Sequence, residues 1–376
     1  MIYLDNSATT FPKPWSVQNA VNNSLKYTAN PGRSGHKLSI KASEEIFLAR
    51  KTAAEFFNAK NETDVIFTLN CTMSMNMVIK GMLKSGDHVV VSAIEHNAVM
   101  RPLEKMSEQG VTFTQAAVFP EDNDRTVDSF RKAINAKTKM IICVHASNVW
   151  GVKLPIDRIS ALAHEYGLLF AVDAAQSAGI VPIDVQQSNI DFLCVAGHKG
   201  LYGVMGTGIL ILSENAIPDT IIEGGTGSNS VSFEQPQELP DRFESGTPNV
   251  SGIVGLRAGI QFVRQKKTEN IAKHEFMLIQ HLYKELSKMK KIKLYMPMPT
   301  QKYFVPILSF NIEGYDSETA AAILNRNNIA VRAGLQCSPA AHKMCGTLES
   351  GAIRISPSVS TKASEIDYLV SILKKL

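Results

Sequence analysis

Short apolar runs rich in β-branched residues recur along the first 212 positions, at 65–69, 88–93, 112–117, 139–145, 168–173, 192–196 and 207–212. Stretches with apolar residues at helical spacing lie between several of them, 157–166 among these. Strands that are apolar throughout, alternating with helices, indicate a mostly parallel sheet covered on both faces. The expectation is an α/β chain with a large, doubly wound, seven-stranded sheet.

The rhythm changes after about residue 250, where Thr247-Pro-Asn-Val-Ser-Gly252 interrupts it. A long helical region to about residue 290 is expected next. A smaller α+β unit follows, with strands at 305–312, 330–333 and 352–356 and helices at 317–327 and 362–376. The resulting division is an arm over 1–15, a large domain over 16–250, a connecting helical segment over 251–290 and a small domain over 291–376.

Composition adds exclusions. The 376 residues are 44% hydrophobic and 20% charged, with a formal charge of +4. Basic residues are scattered, which argues against nucleic-acid binding. The run 288–293 reads as a solvated helix end. No apolar stretch approaches the roughly 20 residues of a membrane span, and the first residues lack a signal-peptide pattern, so a cytoplasmic protein is expected. Five cysteines without paired spacing fit a reducing compartment, and no spacing suggests a metal site.

Ligands of open parallel sheets bind beyond the carboxyl ends of the strands. Those ends carry Asn70-Cys71-Thr72, Glu95-His96-Asn97, His145 to Asn148, Asp173 to Gln176 and Gly197-His198-Lys199. Five polar strand ends on one edge suggest a single site. A lysine after the apolar run 192–196 is partly desolvated, which makes its amine a usable nucleophile. Asp173 on a neighbouring strand end can pair with a pyridinium nitrogen or merely cap a helix.

Several stretches together resemble the class V aminotransferase group of fold-type I pyridoxal-phosphate enzymes. They are Tyr3-Leu-Asp-Asn-Ser-Ala-Thr-Thr10, Val172-Asp-Ala-Ala-Gln-Ser177 and Gly197-His-Lys-Gly-Leu-Tyr-Gly203. Arg332-Ala-Gly-Leu-Gln-Cys-Ser-Pro-Ala-Ala-His-Lys343 and Gly351-Ala-Ile-Arg-Ile-Ser356 resemble its cysteine desulfurase and selenocysteine lyase branch. The resemblance implies pyridoxal 5'-phosphate held by Lys199, which also shuttles a substrate proton. Asp173 would pair with the ring nitrogen, Gln176 contact the phenolic oxygen and His96 stack on the ring. Cys71 through its backbone N–H, Thr72 and His198 would hold the phosphate, and Thr226 would reach the phosphate of a neighbouring subunit, so a homodimer is implied. Asn148, Arg354 and His36 match substrate positions, with Arg354 forking onto a carboxylate.

The same resemblance makes Cys337 the sulfur acceptor. Its positive neighbours in sequence, Arg332, His342 and Lys343, favour the thiolate that attacks sulfur. Cys143 and Cys194 fall in strands and read as core, while Cys345 could be inert or a relay thiol. The implied reaction converts L-cysteine to L-alanine with a persulfide on Cys337, passed to an acceptor protein or thiol, such as one serving iron–sulfur cluster assembly. Selenocysteine lyase, a class V aminotransferase and a non-catalytic binding protein of this fold are the alternatives. Three departures stand against the family pattern: Gln336, Ala196 and Met73 replace a usual His, a hydroxyl residue and an acid.

Overall fold

The computed structural model describes residues 1–32, 35–214 and 216–376. A two-residue strand, β1 (Ile2–Tyr3), opens the chain, and α1 (Trp15–Tyr27) and α2 (Lys37–Phe57) follow. The large sheet comprises β2 (Val65–Thr68), β3 (His88–Ser92), β4 (Thr112–Ala116), β5 (Thr138–Val144), β6 (Leu169–Asp173), β7 (Phe192–Ala196) and β8 (Gly208–Leu212). Their order is β2-β8-β7-β6-β5-β3-β4, with β8 antiparallel to both neighbours and every other pair parallel. All seven expected strands are present, each within a residue or two of its expected ends.

Successive strand residues point to opposite faces, and both faces are apolar. Val90, Ile141, Phe170 and Val172 pack on one side with Phe57 of α2. Phe130 from α5 (Asn123–Ala133) and Ile159 from α6 (Ile156–Glu165) join that layer. Val89, Ile142, Ala171 and Leu210 face the other way. There they meet Met75 and Ile79 of α3 (Cys71–Met82) and Val99 and Leu103 of α4 (Asn97–Ser107). Helices on both faces leave the strand ends as the place where polar groups can gather.

The connecting region is two helices rather than one. α7 (Val250–Lys266) and α8 (Thr268–Leu286) are separated by Lys267, at φ +66°. A left-handed lysine ends a helix without the usual glycine, so composition gave no sign of the break. Leu256 and Ile260 of α7 belong to the large core, whereas Leu278 and Leu282 of α8 belong to a second one. That second core surrounds a three-stranded antiparallel sheet of β9 (Ile292–Leu294), β10 (Leu308–Ile312) and β12 (Ile353–Ile355), with β10 central. The run 288–293, expected as a helix end, therefore leads into an edge strand. Strand β11 (Ile329–Ala330) pairs in parallel with β1, and Leu4 is buried in this core. Helices α9 (Ser317–Arg326), α10 (Pro339–Met344) and α11 (Ala363–Leu373) complete the unit. Among the described residues no helix is long and apolar enough to cross a membrane.

Candidate active site

Asn70, Cys71, Thr72, His96, Asn148, Asp173, Gln176, Ala196, His198 and Lys199 line one pocket at the carboxyl edge of the sheet. They come from all five strand ends singled out in the sequence. Register puts Asp173 between Val144 and Cys194 on the neighbouring strands, so its carboxylate rises from the centre of the sheet. Asp173 Oδ1 accepts from Ala175 N at 2.9 Å and from Cys71 Sγ at 3.3 Å. These two bonds occupy one carboxylate oxygen and hold the group in place. Burial raises the Cys71 thiol well above its ordinary pKa, so it stays protonated and donates. The sequence reading gave Cys71 only a backbone role; its side chain is part of the site.

Lys199 retains some surface toward the pocket, but protein packs densely around its ammonium. Burial lowers its pKa and Asp173 partly offsets that. The lysine is held by close backbone approach: a Cβ on Gly200 would stand 2.3 Å from Ala178 O. Gln176 donates from Nε2 to Ser7 O at 3.0 Å, which leaves a second N–H on that nitrogen for another acceptor. His96 caps α4, accepting from Ala98 N at 3.0 Å, and burial lowers its pKa.

One end of the pocket suits an anion. The first turn of α3 opens into it, with Asn70 as N-cap accepting from Met73 N at 2.9 Å. Free N–H groups and the positive end of the helix dipole face that end. His198 Nδ1 is buried without a partner among the described residues, and burial pulls its pKa down to about 4. Ala196 lines the pocket and supplies no hydroxyl there. Met73 packs partly against the core on the α3 face; nothing in the structure explains why it replaces an acid.

Cys337 is exposed on a loop, whereas Cys71, Cys143 and Cys194 are buried and Cys345 is half-buried. Gln336 and Cys337 both adopt left-handed backbone, at φ +44° and +58°, a conformation that costs non-glycine residues about 1–2 kcal/mol each. Surrounding bonds enforce it. Asn148 Nδ2 donates to Gln336 O at 2.7 Å and Asn148 Oδ1 accepts from Ser338 Oγ at 2.6 Å. Asn97 N donates to Cys337 O at 2.9 Å. Gln336, which replaces a usual His of the family, is a buried anchor: Nε2 donates to Ala352 O at 2.8 Å and Oε1 meets His342 Nε2 at 2.9 Å.

Arg354 is buried, and burial lowers its pKa against the opposing pull of Asp5. Nη1 donates to Asn148 O at 2.8 Å and Nη2 to Asp5 Oδ1 at 2.7 Å. Asn148 thus ties the Cys337 loop to the pocket it lines, with a second N–H on Nδ2 left over for another acceptor.

His36 lies apart from the pocket, and Thr226, expected to serve a neighbouring subunit, lies outside this chain's own pocket. His36 is exposed and caps α2, accepting from Ser39 N at 3.2 Å, and it does not line the pocket. Thr226 bonds Ser228 Oγ at 2.9 Å on an exposed loop outside this chain's pocket. Asp5, Ser7 and Asn70 were given no role from sequence. Asp5 and Ser7 lie within the N-terminal motif, but their partners are more than 160 residues distant.

The site's residues fit pyridoxal phosphate: a desolvated amine, a carboxylate with one oxygen outside the two bonds above, and an anion-binding end with an imidazole nitrogen that has no partner among the described residues. The Aminotransferase class-V family model matches residues 2–369. A probable cysteine desulfurase of Methanothermobacter thermautotrophicus is 33% identical over 385 aligned positions, spanning 100% of this chain and 94% of that protein. The apo structure of a cysteine desulfurase from Thermococcus onnurineus NA1 superposes with a TM-score of 0.92 at 32% identity, covering 100% and 94% of the two chains. A cysteine desulfurase structure from Escherichia coli gives 0.88 at 27% identity, covering 99% and 94%.

Proposed function

The chain belongs to the class V aminotransferase family, and from that premise we propose that it is a pyridoxal-phosphate-dependent cysteine desulfurase. The observation that carries the reading is the exposed Cys337, held in a left-handed loop by Asn148, a residue that also lines the Lys199 pocket.

Lys199, Asp173, His96, Gln176, His198 and the first turn of α3 would hold the cofactor. When bound, it supplies an aldehyde for the substrate amine and a ring that draws electrons from the substrate Cα. The lowered pKa of Lys199 suits it to take the Cα proton and return one. Asp173 would pair with the ring nitrogen and keep it protonated. Arg354 receives the substrate carboxylate. The Cys337 thiolate attacks the substrate sulfur: an S–S bond forms, the C–S bond breaks, and the carbon gains a proton to give alanine. The enzyme is left with Cys337 as a persulfide. An exposed loop suits delivery of that sulfur to an acceptor protein or thiol.

Thr226, outside its own pocket, is read as serving a second copy of the chain in a homodimer. Residues 16–250 carry the cofactor and 291–376 supply Cys337 and Arg354. Five free cysteines suit a cytoplasmic setting.

The test compares alanine release from L-cysteine by the wild type, Cys337→Ser and Lys199→Ala. The wild type should release one alanine per sulfur removed. Cys337→Ser should lose turnover yet keep the cofactor's visible absorption, and Lys199→Ala should lose the borohydride-fixed label. Undiminished turnover by Cys337→Ser, or a keto acid in place of alanine, overturns the reading.

A further inference from the structure

We propose that Asp5 is a positioning residue for the substrate: it grips Arg354 and fixes the guanidinium that receives the substrate's α-carboxylate. This rests on the reading that the pocket takes an amino acid.

Arg354 has five N–H groups, and its contacts among the described residues leave the fork unsaturated. Nη1 is held by Asn148 O and Nη2 by Asp5 Oδ1. Nε is buried with no partner among the described residues. An unpaired buried donor is costly, and a carboxylate oxygen is the acceptor that would satisfy it while balancing charge. Arg332 bridges Arg354 backbone to backbone and adds positive charge nearby. Asp5 is the carboxylate paired with this buried cation, so the guanidinium stays charged and fixed before substrate arrives.

The fold places Asp5 there with little freedom. β1 pairs with β11, Leu4 is buried in the second core, and Asp5 bridges Ser356. Ser356 N donates to Leu4 O at 2.8 Å, Asn6 Nδ2 donates to Ser356 O at 3.0 Å, and Ser7 N donates to Ser356 Oγ at 2.8 Å. The opening residues are thereby tied on both sides of Asp5 to the strand that carries Arg354. An internal competitor that had to leave would be expected to saturate the guanidinium. Asp5 makes a single bond to the guanidinium and leaves Nε open, which favours positioning.

The experiment titrates holoenzyme with L-alanine and with L-alanine methyl ester, reading the change in cofactor absorption; no sulfur chemistry is involved. Asp5→Asn should weaken L-alanine binding by about tenfold or more, the range of one charge-assisted hydrogen bond. Binding of the methyl ester, which lacks the negative charge, should stay within about twofold. KM for L-cysteine should rise in parallel. Equal L-alanine binding, tighter binding, or equal weakening for both ligands overturns the proposal; tighter binding would make Asp5 a competitor, and equal weakening a purely structural residue. Should Asp5→Asn not accumulate, Asp5→Glu, one methylene longer, must weaken L-alanine but not the ester; unchanged binding overturns the proposal there too. Wild-type protein with no cofactor band overturns the parent reading instead.

Discussion

Replacing Asn148 with alanine should both destabilise the fold and misplace Cys337. The amide makes two short bonds in a buried setting, to Gln336 O at 2.7 Å and from Ser338 Oγ at 2.6 Å. Each orphaned partner costs about 1–3 kcal/mol. The loop could offset this only by releasing its left-handed residues, worth about 1–2 kcal/mol each. Release is blocked by the two bonds of the Gln336 side chain and by Asn97 N on Cys337 O. The net loss should therefore be about 2–6 kcal/mol, with Ser338→Ala, which removes one of the two bonds, at about half. Trp150 is a local reporter: it is 1% exposed and donates from Nε1 to Ala341 O in α10, while Trp15 is 76% exposed. Urea titrations followed by the buried tryptophan's emission give the stability change. Alanine release should also fall about tenfold or more, since misplacing a reacting group by about 1 Å can cost a hundredfold. A stability change below about 0.5 kcal/mol, with alanine release unaltered, would refute the claim that Asn148 enforces the loop.

Three further outcomes follow from the geometry. Burial raises Glu95 to about 8 from its ordinary 4.5, so between those values the folded state binds more protons than the unfolded one. This group's contribution to stability should therefore fall as pH rises through that window, by about 1.4 kcal/mol per unit; Glu95→Gln, measured by urea titration at several pH values, should remove that slope. Gly200→Ala would put a Cβ 2.3 Å from Ala178 O, costing about 1–3 kcal/mol, and should shift the cofactor absorption by displacing Lys199. Mild alkylation with peptide mapping should label Cys337 first, because the buried cysteines are inaccessible and burial pushes Cys345 up to about 11.

The large sheet was legible because its inner strands are apolar on both faces and bounded by polar strand ends, and the same feature exposed Asp173, His96 and Lys199. The break at Lys267 was not, since no glycine or proline marks it. The strand at Ile292–Leu294 was hidden by its lysine and its edge position. Gln336 looked like a departure in a catalytic loop because its partners, His342 and Ala352, become neighbours only in the folded chain. Asp5 and Arg354 are separated by 349 residues, and no local pattern announces such a pair. Cys71 read as a phosphate-turn residue because its neighbour Asp173 lies on another strand.

Whether Cys337 takes the sulfur of cysteine is tested by peptide mass spectrometry after a single turnover of the holoenzyme with L-cysteine. The expected result is a mass gain of one sulfur atom on the Cys337 peptide, removed by reductant, with an equal amount of alanine released. Alanine with free sulfide and an unmodified Cys337 peptide, or the added sulfur on another cysteine, would contradict it.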